Sequence, residues 1–348
     1  MYHSIISKKA SGYCKNGCPY KMFFEKKYPE SVKRVKSVGI LSNDGKPDLR
    51  NKNLNIMKIR IYFKVIILFA IMVFASNFQA QELEPYRLYN SNGEKVDFAS
   101  MLKAMSQSDV VLFGEIHNNS ICHWIELRVA KGLYGIDTLL QIGAEMYEAD
   151  NQLILDEYMQ GLIKTSYFES EMRLWKNYKT DYKPVLEFAR ENHIGMYATN
   201  IPRRYAGLVA QKGFEGLKLL SDEARKYIAP LPVAFDTLAP NYDEMMSMDT
   251  GHGMNININF VKAQAIKDAT MAYFIAKYLK EGYTFVHYQG DFHSKNHGAI
   301  LWYLNKYKPG LKVTTLSTQE ADDLEFKEEY KKKADFILVT PKDITKTY

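Results

Sequence analysis

Residues 81–348 alternate between two hydrophobic patterns, short unbroken apolar runs and longer stretches with apolar residues at helical spacing. The unbroken runs predict strands at residues 110–113, 138–146, 194–199, 283–288, 312–316 and 336–339. The stretches with helical spacing predict helices at residues 122–131, 149–160, 183–191, 203–211, 260–280 and 299–307. Because unbroken apolar runs are typical of strands covered on both faces, the pattern predicts an α/β fold with a mostly parallel sheet flanked by helices.

Two stretches do not follow this alternation. Residues 155–182 are rich in Tyr, Glu and Lys, and residues 214–259 contain three prolines and four methionines. We interpret the second stretch as a small α-helical insertion with a lid, and a plain surface excursion is the alternative. The pattern on either side is continuous, which predicts one α/β domain over residues 81–348 that carries this insertion.

A different pattern precedes this domain. A short basic segment begins at Met57 and is followed by an uninterrupted apolar run at residues 65–75 and then by small residues. This arrangement is typical of a secretory signal peptide, and the run is shorter than the roughly 20 apolar residues that a membrane-spanning helix needs. We therefore predict a signal peptide at residues 57–80, cleaved after Ala80 in preference to Ala75, and export to the periplasm or cell envelope. Residues 1–56 are then upstream sequence translated by mistake, and the alternative is a disordered basic tail followed by an uncleaved anchor.

The formal net charge of +6 and the pI near 8.8 arise at the front of the chain. Residues 1–80 contain 15 of the 46 Lys and Arg residues but only 4 of the 40 Asp and Glu residues. Residues 81–348 therefore carry a net charge of −5, so we predict no nucleic-acid partner. Three cysteines exclude a disulfide scaffold, and Cys122, which follows the predicted signal peptide, is predicted to be a buried thiol on a helix.

Polar residues capable of chemistry follow four of the predicted strands, at the point where each strand ends. The segments are Gly114-Glu-Ile-His117, Glu145 with Tyr147 and Glu148, Asn200-Ile-Pro-Arg-Arg204 and Gln289-Gly-Asp-Phe-His293. The carboxyl ends of parallel strands lie at the same edge of a sheet, and ligands of open α/β sheets bind at that edge. The sequence therefore predicts a ligand-binding or catalytic cleft formed by these segments.

Two glutamates and two histidines in these segments form the predicted catalytic set, Glu115, His117, Glu145 and His293. Glu115 and His117 are two residues apart, so on an extended segment both side chains point to the same face. The four side chains together are enough for a metal centre or for a histidine base oriented by a carboxylate. The predicted ligands of a divalent metal ion are Glu115, His117 and His293. In hydrolysis, Glu115 and His117 would activate water while His293 ligates the metal or stabilises developing charge.

Three segments, in this order along the chain, resemble one protein family: Val111-Leu-Phe-Gly-Glu-Ile-His-Asn118, Gln264-Ala-Ile-Lys-Asp-Ala-Thr-Met-Ala272 and Gly290-Asp-Phe-His-Ser-Lys-Asn-His-Gly298. They are similar to the motifs of the ChaN-like haem-binding uptake family, which shares a superfamily with the Tiki metalloproteases and the erythromycin esterases. The resemblance extends over residues 85–318. It implies a parallel α/β core with a small helical domain, and an envelope protein that serves an outer-membrane iron-uptake system. It also implies a homodimer that holds haem between its two subunits.

The resemblance carries Glu115, His117 and His293 over as the shared site, with Glu145 as a fourth member. The predicted haem-contacting residues are His117, His293, His252 and Tyr182. His252 lies in a Gly-flanked, Met-rich loop and is either a ligand on a mobile lid or an exposed loop residue. Tyr182 is either a phenolate ligand of ferric haem or a packing residue.

Two functions therefore remain open. The resemblance favours an exported haem-binding protein that takes part in iron or haem uptake. The alternative is a metal- or His-dependent hydrolase of an ester or peptide bond, which would use the same four side chains with a divalent metal ion. The chemistry of the residues fits hydrolysis as well as it fits haem binding.

Overall fold

The computed structural model describes residues 49–75, 83–247 and 257–348 of the chain, which divides into two units, Met1–Gln81 and Glu82–Tyr348. The described part of the first unit is one helix, α1 (Leu49–Ala75). It includes the apolar run of the predicted signal peptide, and it begins before Met57, in a segment for which we predicted no regular element. None of the helices in the described ranges is long and apolar enough to cross a membrane.

The second unit contains a seven-stranded sheet with the strand order β1-β7-β6-β2-β5-β3-β4. Its strands are β1 (Arg87–Asn90), β2 (Val110–Glu115), β3 (Leu140–Glu148), β4 (Gly195–Asn200), β5 (Thr284–Gly290), β6 (Val313–Ala321) and β7 (Phe336–Pro341). All neighbouring strands run parallel except β1, which pairs antiparallel with β7. The predicted α/β fold with a mostly parallel sheet is confirmed.

Helices cover both faces of this sheet. They are α2 (Phe98–Met105), α3 (Ser120–Ile136), α4 (Gln152–Met159), α5 (Thr165–Glu171), α6 (Lys183–Glu191), α7 (Arg203–Lys212), α8 (Asp222–Arg225), α9 (Tyr242–Ser247), α10 (Ile258–Tyr278) and α11 (Ile300–Tyr307). Single turns of 3₁₀ or π-helix occur between them, among them a π-turn at Tyr178–Tyr182 and a 3₁₀ turn at Asp291–His293.

The central strand β2 shows why the sheet is covered on both sides. Val111 and Phe113 pack in a core with residues of α2, α3, α4 and α6. Val110 and Leu112 point to the opposite face and pack with α7, α10 and α11. All four side chains are fully buried. A strand with two buried faces needs no polar alternation, and this is the physical basis of the unbroken apolar runs.

The order of the strands brings the candidate site together. The chain passes from β2 through α3 to β3, two positions away in the sheet, and later returns through α10 to place β5 between them. In the paired register Glu115 of β2 lies beside Gly290 of β5, and Ala144 of β3 lies beside Tyr288 of β5. The carboxyl ends of β2, β5 and β3 therefore meet at one edge, as in other open α/β sheets.

Several elements differ from the prediction in extent. Strand β6 continues to Ala321, beyond the apolar run, because its polar end still pairs with β7. Strand β1 and helices α2 and α5 were not predicted, and α5 and the π-turn lie in the stretch 155–182 that did not fit the alternation. The predicted insertion at 214–259 contains a 3₁₀ turn (Phe214–Leu219), α8, α9 and the first residues of α10. Its Met-rich segment lies partly outside the described residues, so the predicted lid stays a prediction.

Candidate functional site

A cleft of about 930 Å³ opens at the carboxyl ends of β2, β3, β4 and β5. Its lining comes from strand ends, from the segment after α5, from α7 and α10, and from Tyr348: His117, Glu145, Glu148, Arg173, Leu174, Trp175, Lys176, Asn177, Asn200, Ile201, Arg203, Gln264, Lys267, His293 and Tyr348. This volume lies within the range of small-molecule and cofactor sites. The cleft occupies the edge of the sheet at which the sequence predicted it.

On one side of the cleft, Glu115 holds His117. The carboxylate oxygen Oε1 of Glu115 lies 2.5 Å from Nδ1 of His117 and accepts a hydrogen bond from the Tyr182 hydroxyl at 2.9 Å. Glu115 is buried, whereas the side chain of His117 is about one-third exposed to the cleft. Burial alone would lower the pKa of His117, but the hydrogen bond and charge of Glu115 raise it. The hydrogen bond between Glu115 and His117 fixes the orientation of the His117 ring. The other ring nitrogen, Nε2, has no hydrogen bond to the described residues.

On the other side, His293 is held between two carboxylates. Its Nδ1 lies 2.5 Å from Oδ1 of Asp268, and its Nε2 lies 3.3 Å from Oε1 of Glu145. The hydroxyl of Tyr242 donates to the other oxygen of Asp268 at 2.6 Å. The backbone amide of Gly290 donates to the other oxygen of Glu145 at 2.9 Å. Both nitrogens of His293 are therefore engaged.

These contacts decide the protonation of the buried group around His293. Burial alone would lower the pKa of His293, but the charges of Glu145 and Asp268 and their hydrogen bonds raise it to about 10. Burial alone would raise the pKa of Glu145, but the charge and hydrogen bond of His293 hold it well below its usual range. At neutral pH the site therefore contains a buried imidazolium between carboxylates.

Gly290 allows the two sides to meet. A Cβ atom at this position would lie 2.9 Å from Nε2 of His117 and 3.7 Å from Oε2 of Glu145. The first distance is shorter than real side-chain contacts, so a larger residue would displace the His117 ring. The structure thus brings together all four residues of the predicted catalytic set, Glu115, His117, Glu145 and His293, around the end of β5.

Behind His117 lies a second, buried group that we call the inner cluster: Glu115, His123 and Glu126. Nδ1 of His123 is 2.9 Å from Oε2 of Glu126 and 3.6 Å from Oε2 of Glu115. Nε2 of His123 faces the backbone oxygen of His117 at 3.1 Å and Asp181 at 3.4 Å. Burial and the charge of Glu126 raise the pKa of Glu115 to about 8. Burial and the charge of Asp181 raise the pKa of Glu126 to about 8.

Of the two remaining predicted ligand residues, Tyr182 does not lie at the cleft surface. Tyr182 is buried, donates its hydroxyl hydrogen bond to Glu115, and does not line the cleft. Burial and the nearby Glu115 raise the pKa of its phenol far above the usual range, which disfavours a phenolate. This placement favours a role in orienting Glu115 over the predicted role as haem ligand. His252 lies outside the described residues.

Three polar residues of the site were not predicted: Asp268, His123 and Glu126. Asp268 lies in the middle of α10, within the Gln264–Ala272 motif that carried the family resemblance. His123 and Glu126 lie on α3, where the buried residues also include Cys122, Ile125 and Val129. The position of Glu126 within this apolar stripe was a signal of burial that could have identified it. Cys122 itself is a buried thiol on α3, as predicted.

We expect the free energy of unfolding of the ligand-free protein to fall as the pH rises from about 6.5 to about 10. A histidine whose pKa is raised from 6.5 to about 10 in the folded state stabilises the protein below 6.5, and this stabilisation is lost as the pH rises through 10. The loss amounts to at most about 1.4 kcal/mol per pH unit for one proton. Urea denaturation across this range measures it.

His293→Gln is the control for the pH dependence, because glutamine keeps a donor between Asp268 and Glu145 but does not titrate. The variant should show a flatter decline, with the part that remains coming from the raised pKa values of Glu115, Glu126 and His117. Equal slopes in the wild type and the variant would contradict the assignment of a charged His293.

Comparison with known proteins gives the family and the fold. No curated protein matches the chain. The solved structure of ChaN of Campylobacter jejuni, described with cofacial heme binding, has a TM-score of 0.55 and 16% identity, covering 73% of this chain and 96% of that chain. A mutant erythromycin esterase EreC in its open conformation has a TM-score of 0.39 and 12% identity, covering 74% and 83%. The likeness to the ChaN structure, at 16% identity, shows the fold alone.

The family itself is shown by the sequence of the α/β unit. Residues 101–304, more than half of the chain, match the family described as "Haem-binding uptake, Tiki superfamily, ChaN". The matched range includes every residue of the predicted catalytic set together with Asp268 and the inner cluster. The chain belongs to the ChaN haem-binding uptake family of the Tiki superfamily.

Proposed function

We propose that this protein binds haem in the cleft, where His117 would hold the iron. The observation that carries the proposal is the state of the His117 ring. Its Nδ1 is bonded to a buried carboxylate, and its Nε2 is the nitrogen left for a ligand in the cleft. Metal-ligating histidines usually have this second hydrogen bond, which fixes the tautomer and increases the basicity of the ligating nitrogen.

Among the predicted haem-contacting residues, His293 is less suited to ligate iron. A ligating imidazole must offer a lone pair, but Nδ1 and Nε2 of His293 both face carboxylates and its pKa is about 10. In the proposal, the buried positive charge of His293 holds Glu145 in place. His117 has one engaged nitrogen, Nδ1, and its Nε2 has no hydrogen bond to the described residues.

The cleft has apolar surface beside His117. The ring of Trp175 packs edge-on against His117, with 4.9 Å between the ring centroids, and Leu174 and Ile201 also line the cleft. A flat macrocycle can pack against such surface while its iron meets His117. The volume of about 930 Å³ is in the range of cofactor sites.

The charges of the cleft suit an anionic ligand. Lys176, Arg203 and Lys267 line it and have no ion-pair partner among the residues that the structure describes. Arg173 is already paired with Glu148 and Asp150. Haem carries two propionate groups, and the three free cations would attract and orient them. Haem supplies a redox-active iron, while the chain's residues bind and orient it.

The absorption spectrum and metal content of the full-length protein, purified from cells supplied with haem, test the proposal. We expect a Soret band, and we expect a molar amount of iron close to that of the protein. A protein that contains no haem after this treatment would contradict the proposal.

One observation favours that second function. The imidazolium of His293 and the carboxylate-paired His117 both line the same cleft, with Glu145 contacting His293. A histidine base opposite a buried positive charge is an arrangement that can activate water and stabilise an oxyanion. Ester hydrolysis by haem-free protein that is abolished by His117→Ala would favour this alternative.

Export, a role in iron uptake and pairing of two copies are further parts of the proposal. Export is supported by the apolar run at residues 65–75 behind a short basic segment. N-terminal sequencing of the exported protein tests it, and a mature chain that begins before Met57 would contradict it. The uptake role and the homodimer rest on family membership.

A further inference from the structure

The inner cluster of Glu115, His123 and Glu126 has a feature that the haem proposal does not use. Oε2 of Glu115 and Oε1 of Glu126 are buried and have no hydrogen-bond partner among the described residues. The two residues are 2% and 1% exposed. An unsatisfied buried polar group costs about 1–3 kcal/mol, and more if it is charged. Folded proteins retain such atoms mainly where another group satisfies them.

The spacing of the cluster matches the ligands of a metal ion. One ligand atom from each residue can be chosen so that all three lie within 4.8 Å of one another, and His123 Nδ1 lies 2.9 Å and 3.6 Å from oxygens of Glu126 and Glu115. With metal–ligand bonds of about 2.1 Å, neighbouring ligands of a tetrahedral or octahedral ion are about 3.0–3.4 Å apart. Small side-chain adjustments would therefore complete the coordination.

The charge around the cluster also lacks a counterion. Glu115, Glu126 and the nearby Asp181 surround His123, and in the described ranges their ion pairs are with histidines alone. If the three carboxyls ionise, no lysine or arginine among the described residues balances their charge. A bound divalent cation would supply the positive charge at the point where the unpartnered oxygens lie.

We propose that Glu115, His123 and Glu126 bind one divalent transition-metal ion in the interior of the domain. Carboxylate and imidazole ligands together suit Zn²⁺ or Mn²⁺. The site differs from the predicted cleft metal site, which would use His117 and His293. Glu115 would then join the two sites, with one oxygen on the ion and the other on His117. The ion could enter from the cleft, because His117 and Asn177, which border the cluster, also line the cleft.

Zinc titration of the full-length, metal-free and haem-free protein tests the site by calorimetry. We expect one Zn²⁺ per chain with a Kd below about 1 µM. Glu126→Gln should weaken binding by at least about 100-fold. Glu187→Gln is the matched control, because Glu187 is a partly buried glutamate with its own partners, Tyr158 and Arg190, and should leave the Kd unchanged.

Three results would overturn the proposal. They are the absence of saturable zinc binding at about 10 µM, equal zinc affinity in Glu126→Gln and the wild type, and anomalous zinc scattering beside His117 Nε2 instead of His123 Nδ1. The diffraction measurement uses the wild-type chain, so it holds even if Glu126→Gln fails to fold. Because no haem is present, the outcome is independent of the proposed function.

Discussion

His117→Ala should bind haem about 100-fold more weakly than the wild type, a loss of about 2.7 kcal/mol. Among the described residues that line the cleft, His117 is the one imidazole with a carboxylate-bonded Nδ1 and an Nε2 without a hydrogen bond, and the substitution removes it. Haem that still enters the cleft should lose the spectrum of a histidine-ligated iron, although Trp175 and the cleft cations remain. Titration of haem into both proteins, followed in the Soret region, measures the difference.

His193→Asn is the matched control for surface binding by histidine. His193 is exposed and has a φ of 55°, a conformation that asparagine tolerates better than alanine. It lies in the turn between α6 and β4 and does not line the cleft. Its substitution should leave haem affinity unchanged. Equal haem affinity in His117→Ala and the wild type would remove His117 as the ligand.

Asp268→Ala should lower the free energy of unfolding by about 3–5 kcal/mol, the range found when one partner of a buried ion pair is removed. Asp268 is fully buried, bonds His293 at 2.5 Å and accepts from the Tyr242 hydroxyl at 2.6 Å. The change leaves the His293 imidazolium with Glu145 as its remaining carboxylate. It also leaves the buried Tyr242 hydroxyl without its acceptor. Urea denaturation at about pH 7 measures the loss.

Two variants separate this effect from a general effect of changing α10. Lys267→Ala alters the neighbouring residue, which has no ion pair among the described residues, and should change stability by less than about 1 kcal/mol. Asp268→Asn keeps the side-chain volume and an acceptor for Tyr242, so it should lose less than Asp268→Ala. A loss below about 1 kcal/mol in Asp268→Ala would contradict the charged pair.

The strands and their chemically active ends were predictable because the relevant signals are local. Buried parallel strands have unbroken apolar runs, and the two-residue spacing of Glu115 and His117 places both on one face. Strand β1 was missed because its four residues pair antiparallel at the sheet edge and contain only two buried side chains. Four residues with only two apolar positions cannot be distinguished from a loop in the sequence.

The residues behind the predicted set were harder to find because their roles depend on distant contacts. Asp268 meets His293 only after α10 packs against the sheet, and the sequence places the two 25 residues apart. Glu126 lies in an apolar stripe, but a glutamate on a helix is usually solvent-exposed, so the pattern was interpreted as packing around Cys122. Tyr182 was considered for its phenol, whereas its burial beside Glu115 is a property of the folded π-turn.

Titration of haem into the metal-free, full-length wild-type protein tests the central claim most directly. The account predicts a saturable Soret shift that ends at one haem per chain, with a Kd in the micromolar range or below and the spectrum of a histidine-ligated iron. No saturable shift at micromolar haem, or a saturable shift that His117→Ala leaves unchanged, would contradict it.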